Sequence, residues 1–328
     1  MTIKVKFPNQ DKWFKYNSFF SLTKIKNYDE IVSLDCTFSQ IDYLPALPNN
    51  LNELYCGYNK ISKLPTLPPL LNKLTCNNNN LSSLPNLPVY LTEIHCSKNN
   101  LYMLPFLPTH LIILDCSDNK IFRLPPLSNS LRYLNCDKNT LTFLPPLNPF
   151  LEKIECSNNK IIKLPDLNNG LKELICNGNK LTNLPELPNT LLYLHCGYNN
   201  LLSLPEFPKS LKCIYCYNNK IKKLPLLPKF ISSINIKHTE IDELPLLPRF
   251  LNIFEYSNTP IKNYIIKHFD GKWKDYRNFQ HSIEEKINKT FIGKIESWFL
   301  ECKYNPEYKY CQRRLESEYD EFYGEERN

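Results

Sequence analysis

Apolar residues recur along this chain with a period of 20. From Ile31 to Phe250 one frame, L-x-x-L-x-C-x-x-N-x-L-x-x-L-P-x-L-P-x-x, is written eleven times without insertion or deletion. The copy at 51–70 reads LNELYCGYNKISKLPTLPPL. Position four is Leu or Ile in every copy. Position six is Cys from Cys36 to Cys216, then Ile236. Position nine is Asn from Asn59 to Asn219, with Ser39 and Thr239 in its place in the first and last copies. Self-similarity at so short a period predicts a solenoid, whose units bury their apolar faces only against one another.

Each position has a physical role. In L-x-x-L-x-C, residues four and six fall on the same side of a short strand, because side chains alternate. Stacked copies then form a parallel sheet with a Leu/Ile row and a Cys row inside. Position nine falls where the chain leaves the strand, and a buried Asn there can satisfy backbone groups that would be orphaned. The L-P-x-L-P run excludes helix, because each proline removes a donor and drives the preceding residue to extended conformations. The return side is therefore expected to be extended or polyproline-like. Eleven strands at ~4.8 Å spacing predict a sheet about 50 Å wide.

These motifs resemble the leucine-rich repeat family, with L-x-x-L-x-C-x-x-N in place of L-x-x-L-x-L-x-x-N. The short unit ending L-P-x-L-P is most similar to the subclass found in bacterial effector proteins delivered into host cells. The resemblance covers about two thirds of the chain. It implies a leucine-rich repeat solenoid whose curved parallel β-sheet binds a partner, usually a protein, on its concave side. It does not imply an enzyme. Cys at position six departs from the family pattern, although a thiol is small and readily buried.

Outside the repeats the pattern changes. Residues 1–30 alternate like a strand at Thr2–Phe7 and then carry Trp13, Phe14, Phe19, Phe20 and Leu22, as an N-terminal cap over an exposed first rung would. Residues 31–260 are the solenoid, with a degenerate twelfth copy (LNIFEYSNTP) placing Tyr256 where Cys belongs. Residues 261–328 show helical spacing and predict a small α-helical C-terminal cap. The expected features there are an apolar stretch from Ile261 to Phe269 ended by Gly271, and a capping box at Ser282 and Glu285. That box opens a helix with Ile283, Ile287, Phe291 and Ile295 on one face, and a second helix starts at Asn305 and Pro306.

Composition narrows the function classes. The net charge of +7, from 40 basic and 33 acidic residues, is mild for a nucleic-acid binder. No apolar run is long enough to span a membrane, and MTIKVKFPNQ has no leader-like core. Thirteen cysteines could signal disulfides, but ten belong to the repeat row, where neighbouring Cβ vectors run parallel rather than converging. They read as reduced thiols, and hence an intracellular, cytoplasmic protein. The Lys, Asn, Ile and Tyr bias fits an AT-rich genome, such as those of protists and their large DNA viruses. With seven glycines there is no phosphate-cradling loop, and no cofactor or metal is expected.

Positions two, three, five, seven and eight are expected to face the concave side. Over the eleven copies they carry nine acidic and eight basic residues, a mixed surface unlike a phosphate-tracking groove. Aromatics are less even. Tyr133 sits mid-array, whereas copies nine and ten place Tyr193, His195, Tyr198, Tyr215 and Tyr217 on adjacent rungs. Tyrosine offers large apolar area with a polar tip, so this cluster is the expected partner-binding site. Cys213 and His195 are the nearest nucleophile–base pair, but two residues of offset plus one strand spacing puts them roughly 8 Å apart, too far to act together. A basic rim follows the turn Asn (Lys60, Lys63, Lys120, Arg123, Lys160, Lys163, Lys220, Lys222, Lys223) and offers polyanion binding as an alternative. An adaptor role for the C-terminal helices, recruiting machinery such as a ubiquitin ligase, is another. The leading reading is a non-enzymatic scaffold for one protein partner.

Overall fold

The computed structural model describes residues 2–304, which form two compact units parting after Tyr264. The first is organised by one 14-stranded sheet. Twelve of its strands are three-residue rungs, β3 (Ser33–Asp35) through β14 (Ile253–Glu255), all parallel. Each rung residue pairs with the residue 20 positions on, as in Leu54 with Leu74. The middle residue of each rung is buried and its neighbours face outward, as period-two alternation requires. The degenerate twelfth copy still forms a rung, the last of the ladder. Ile253, Phe254 and Glu255 pair with Ser233, Ile234 and Asn235, and Phe254 stacks on Tyr256 at 4.9 Å between ring centroids. An aromatic pair thus fills the space that Leu and Cys take elsewhere.

The core is a set of files, one residue per rung. Leu or Ile at positions one, four and eleven and Cys at six are essentially solvent-free through the array. Asn at position nine locks successive rungs together. Asn139 accepts from the Ile121 amide at 2.9 Å, and its Nδ2 donates to the carbonyls of Cys116 (3.1 Å), Cys136 (3.2 Å) and Asp137 (3.1 Å). The same pattern repeats at Asn59, Asn79, Asn99, Asn119, Asn159, Asn179, Asn199 and Asn219. Where Asn is replaced, the substitutes still serve the chain. Ser39 donates to the Thr2 carbonyl at 2.7 Å, and Thr239 to the Ile236 carbonyl at 2.8 Å.

Position eight has a feature the repeat consensus hides. Every copy, from Phe38 to Asn258, has a left-handed backbone there, and only Gly178 is glycine. The return side carries no helix and no named strand, only an isolated bridge between Met103 and Arg123. A turn at the far corner, such as Leu51 N–H to the Pro48 carbonyl at 3.2 Å, starts the next rung.

At the N-terminal end, β1 (Ile3–Lys6) runs antiparallel along β3, and β2 (Phe14–Tyr16) runs antiparallel along β1. The hairpin pairs the edge of the first rung and buries Ile3 and Val5. Helix α1 (Phe19–Leu22) follows, with the Ser18 hydroxyl accepting from the Ser21 amide.

The C-terminal helices are α2 (Pro260–Phe269) and α3 (Trp273–Tyr304), separated by a turn with Gly271 at φ +73°. The expected capping box does not start a helix. Ser282 lies inside α3, and its hydroxyl donates to the Phe279 carbonyl at 2.8 Å. Nothing between Trp273 and His281 breaks a helix, so α3 begins nine residues earlier, directly after the glycine turn. Ile283, Ile287 and Phe291 are exposed. The helix expected from Asn305 and Pro306 lies outside the described residues.

Candidate functional site

The outward face of the sheet changes character along its length. Through the middle rungs it is charged and self-neutralised. Lys73 meets Glu93 at 2.6 Å, Lys153 meets Glu155 and Glu173 at 2.9 Å each, and Glu152 bridges Arg132 (2.6 Å) and Lys172 (2.7 Å). Strict register places opposite charges on adjacent rungs, which is the cross-strand pairing that stabilises sheets. From Ile175 through Asn235, positions three and five carry no formal charge: Ile175, Tyr193, His195, Cys213, Tyr215, Ser233 and Asn235.

Rungs β11 (Tyr193–His195) and β12 (Cys213–Tyr215) fill that neutral zone with aromatics. His195 stacks on Tyr215 at 4.6 Å between centroids, as the register pairs them directly. Beyond the strands, Tyr198 and Tyr217 meet edge-to-face at 5.2 Å. Gly197 makes that second contact possible: a Cβ there would lie 2.7 Å from the Tyr217 ring. The sequence reading missed this glycine, whose only signal was a missing side chain beside the aromatic position of the next copy. The Tyr215 hydroxyl accepts from Ser233 at 3.2 Å. Tyr193 is 39% exposed and Tyr198 59%. Tyr133 stands apart, three rungs earlier, with the Lys153 ammonium 5.7 Å from its ring; burial pushes its phenol up to about 12.

One expectation is overturned. Cys213 Sγ lies 3.8 Å from His195 Nε2, in contact rather than roughly 8 Å away. Diagonal neighbours on one sheet face are far apart at Cα, but an imidazole is long enough to lean across. The contact does not make a nucleophile. Burial raises the Cys213 thiol above its ordinary value and lowers the His195 imidazole, with Glu173 opposing and Lys153 reinforcing the latter shift. Both shifts disfavour the thiolate–imidazolium form that reactive pairs need. The ladder thiols are further suppressed: burial raises Cys76, Cys176 and Cys216 to about 12. Among the described residues no cluster of His, Cys, Asp and Glu could hold a metal ion.

No family model and no curated protein sequence matches the chain. Solved structures do. YopM from Yersinia enterocolitica WA-314 aligns with a TM-score of 0.67 and 36% identity, over 67% of this chain and 49% of YopM. The chain folds as a leucine-rich repeat solenoid. It therefore spans about half the length of YopM. The functional domain of InlJ from Listeria monocytogenes, which includes a cysteine ladder, shares the leucine-rich repeat fold with a TM-score of 0.57 at 24% identity, over 70% of this chain and 54% of that one. The leucine-rich repeats of FLRT2, solved in an octameric complex with latrophilin 3 and Unc5D, align with a TM-score of 0.54 at 22% identity, over 65% of this chain and 76% of that one.

Proposed function

We propose that this protein is a non-enzymatic scaffold that seats a protein partner on its sheet face, centred on rungs nine and ten. The observation that carries this reading is the coincidence of two gradients. Formal charge disappears from positions three and five where Tyr193, His195, Tyr198, Tyr215 and Tyr217 gather, and four of those five rings are already packed against each other. Rings held in place before binding lose little entropy on binding, and neutral aromatic surface is cheap to dehydrate. The FLRT2 repeats, which share this fold, assemble with other proteins, which fits a partner-binding role. The buried thiols suit a reducing, cytoplasmic setting.

The test compares the intact chain with a variant carrying Tyr193→Ala, Tyr198→Ala, Tyr215→Ala and Tyr217→Ala in pull-downs from host lysate, after circular dichroism shows that both fold. A protein held only by the intact chain supports the site. Gly197→Ala, which displaces Tyr217 without removing a ring, should weaken the same partner. Identical partners from all three chains would refute the rung nine and ten site.

A further inference from the structure

A second surface, away from the sheet face, has the opposite electrostatic character. At positions ten, twelve and thirteen of copies two to ten, between Lys60 and Lys223, ten residues are Lys or Arg and none is Asp or Glu. Positions twelve and thirteen are exposed in every copy, flanking the buried Leu or Ile at eleven. On the sheet face, Lys73, Lys153 and Lys172 each meet a carboxylate of a neighbouring rung. Among the described residues, of these ten cations only Lys223 has a carboxylate within 4.0 Å, Glu243 at 3.6 Å, with both side chains more than 70% exposed. The carboxylates of Asp166, Glu186 and Glu206 stand at position sixteen, past the buried Leu at fourteen.

The strip is also apolar. Tyr102, Met103, Phe122, Phe143, Ile162 and Leu202 are each 47–63% exposed among the cations. Phe122 lies between Lys120 and Arg123, and Ile162 between Lys160 and Lys163. The backbone holds the central part in line: Phe122 N–H reaches the Tyr102 carbonyl at 3.4 Å, and Ile162 N–H the Thr142 carbonyl at 3.4 Å. Exposed apolar side chains cost free energy in water unless something covers them.

We infer that this strip is a docking surface for an anionic lipid bilayer, with the lysines and Arg123 against headgroup phosphates and carboxylates and the apolar side chains in the acyl boundary. Charge complementarity selects a polyanion, because the strip has unpaired cations and no anion. The apolar set selects lipid over nucleic acid. Bases stack on planar rings, but Met103, Ile162 and Leu202 are aliphatic and offer no stacking plane. An interfacial membrane site takes aromatic and aliphatic side chains alike, beside Lys and Arg.

The experiment is co-flotation of the full chain with vesicles of phosphatidylcholine alone and of an equal mixture with phosphatidylserine, at low and high salt. Binding to the mixed vesicles only, weakened by salt, is expected. Replacing Lys120, Arg123, Lys160 and Lys163 with Gln should lower partitioning by about two to three orders of magnitude, since each basic residue near an anionic surface contributes roughly fivefold. Tyr102→Ser, Phe122→Ser and Ile162→Ser together should lower it by at least about tenfold. Lys73→Gln, Lys98→Gln, Lys153→Gln and Lys172→Gln together, on the sheet face, remove the same four charges and should leave it unchanged. The inference is overturned by absence of binding to anionic vesicles, by binding the four-cation variant retains, or by equal loss in the sheet-face control. It is equally overturned if the apolar variant binds normally and single-stranded RNA competes the protein off, which would make the strip a generic polyanion surface.

Discussion

At the scale of single residues, the asparagine file carries more of the fold than its polarity suggests. Asn139 is buried and makes four hydrogen bonds to two rungs. Removing its amide strands the Ile121 N–H and takes one donor from each of the Cys116, Cys136 and Asp137 carbonyls, which keep Asn119 Nδ2, Asn159 Nδ2 and the Asp118 N–H respectively. A buried polar group left unpaired costs about 1–3 kcal/mol, and each hydrogen bond lost costs about 1 kcal/mol. Asn139→Ala should therefore destabilise by at least about 3 kcal/mol in urea unfolding, whereas Asn80→Ala, at an exposed position ten, should stay within about 0.5 kcal/mol. Equal effects would mean that the file is ornamental. His195 and Cys213 give a second test. Their 3.8 Å approach would suggest chemistry, but burial keeps the thiol protonated and the imidazole neutral. Alkylation of Cys213 near neutral pH should be slow and should not slow further in His195→Ala. Fast alkylation abolished by that substitution would instead mark an activated pair.

At the scale of elements, the turn after each rung is the informative case. The consensus leaves position eight free, yet the backbone there is left-handed in every copy. Lysine pays a steric cost in that region that glycine does not. Lys138→Gly, at φ +51°, should therefore raise stability by up to about 1 kcal/mol despite adding chain entropy to the unfolded state. A loss of similar size would show that the Lys138 side chain contributes more than its backbone costs. This turn also shows where sequence reading stops. Files along the array were legible because a buried row tolerates few residue types. Leu34, Cys36 and Asn59 could be assigned from recurrence alone. The left-handed turn was not legible, because Phe38, Tyr58, Lys98 and Asp118 share no chemistry there. The aromatic site was legible as a cluster of residue types, but its packing rests on the absent Cβ of Gly197. Helix α3 misled for a different reason. A Ser and a Glu three apart can cap a helix only where the chain stops being helical upstream, and here it does not. Ser282→Ala should accordingly change stability by less than about 0.5 kcal/mol, where loss of a true cap costs about 1 kcal/mol.

At the scale of the whole molecule, the cysteine ladder couples all rungs to pH. From Cys36 to Cys216 one thiol per rung is buried, and desolvation raises every one of them. Cys76 and Cys176 go from an ordinary value near 9 to about 12. Below about pH 8 the thiols are protonated in folded and unfolded chains alike, so they add little pH dependence. Between about 9 and 12 the unfolded chain releases these protons and the folded chain keeps them. Stability then falls as pH rises, by about 1.4 kcal/mol per pH unit for each thiol still held protonated. Ten thiols in one file multiply that slope, and a total stability of about 5–15 kcal/mol is exhausted within roughly a unit of pH. The urea midpoint, measured with reductant present, should be flat from pH 7 to 8 and collapse soon above 9. Tyrosines and lysines also titrate in that range, so the decisive comparison is with Cys136→Val and Cys156→Val together. Valine is apolar and about one methyl group larger than cysteine, and buried Ile236 already fills this position in copy eleven, so the double variant should fold at neutral pH and lose stability less steeply with alkali. Parallel curves for the two chains would show that the ladder thiols do not set the alkaline limit of this solenoid.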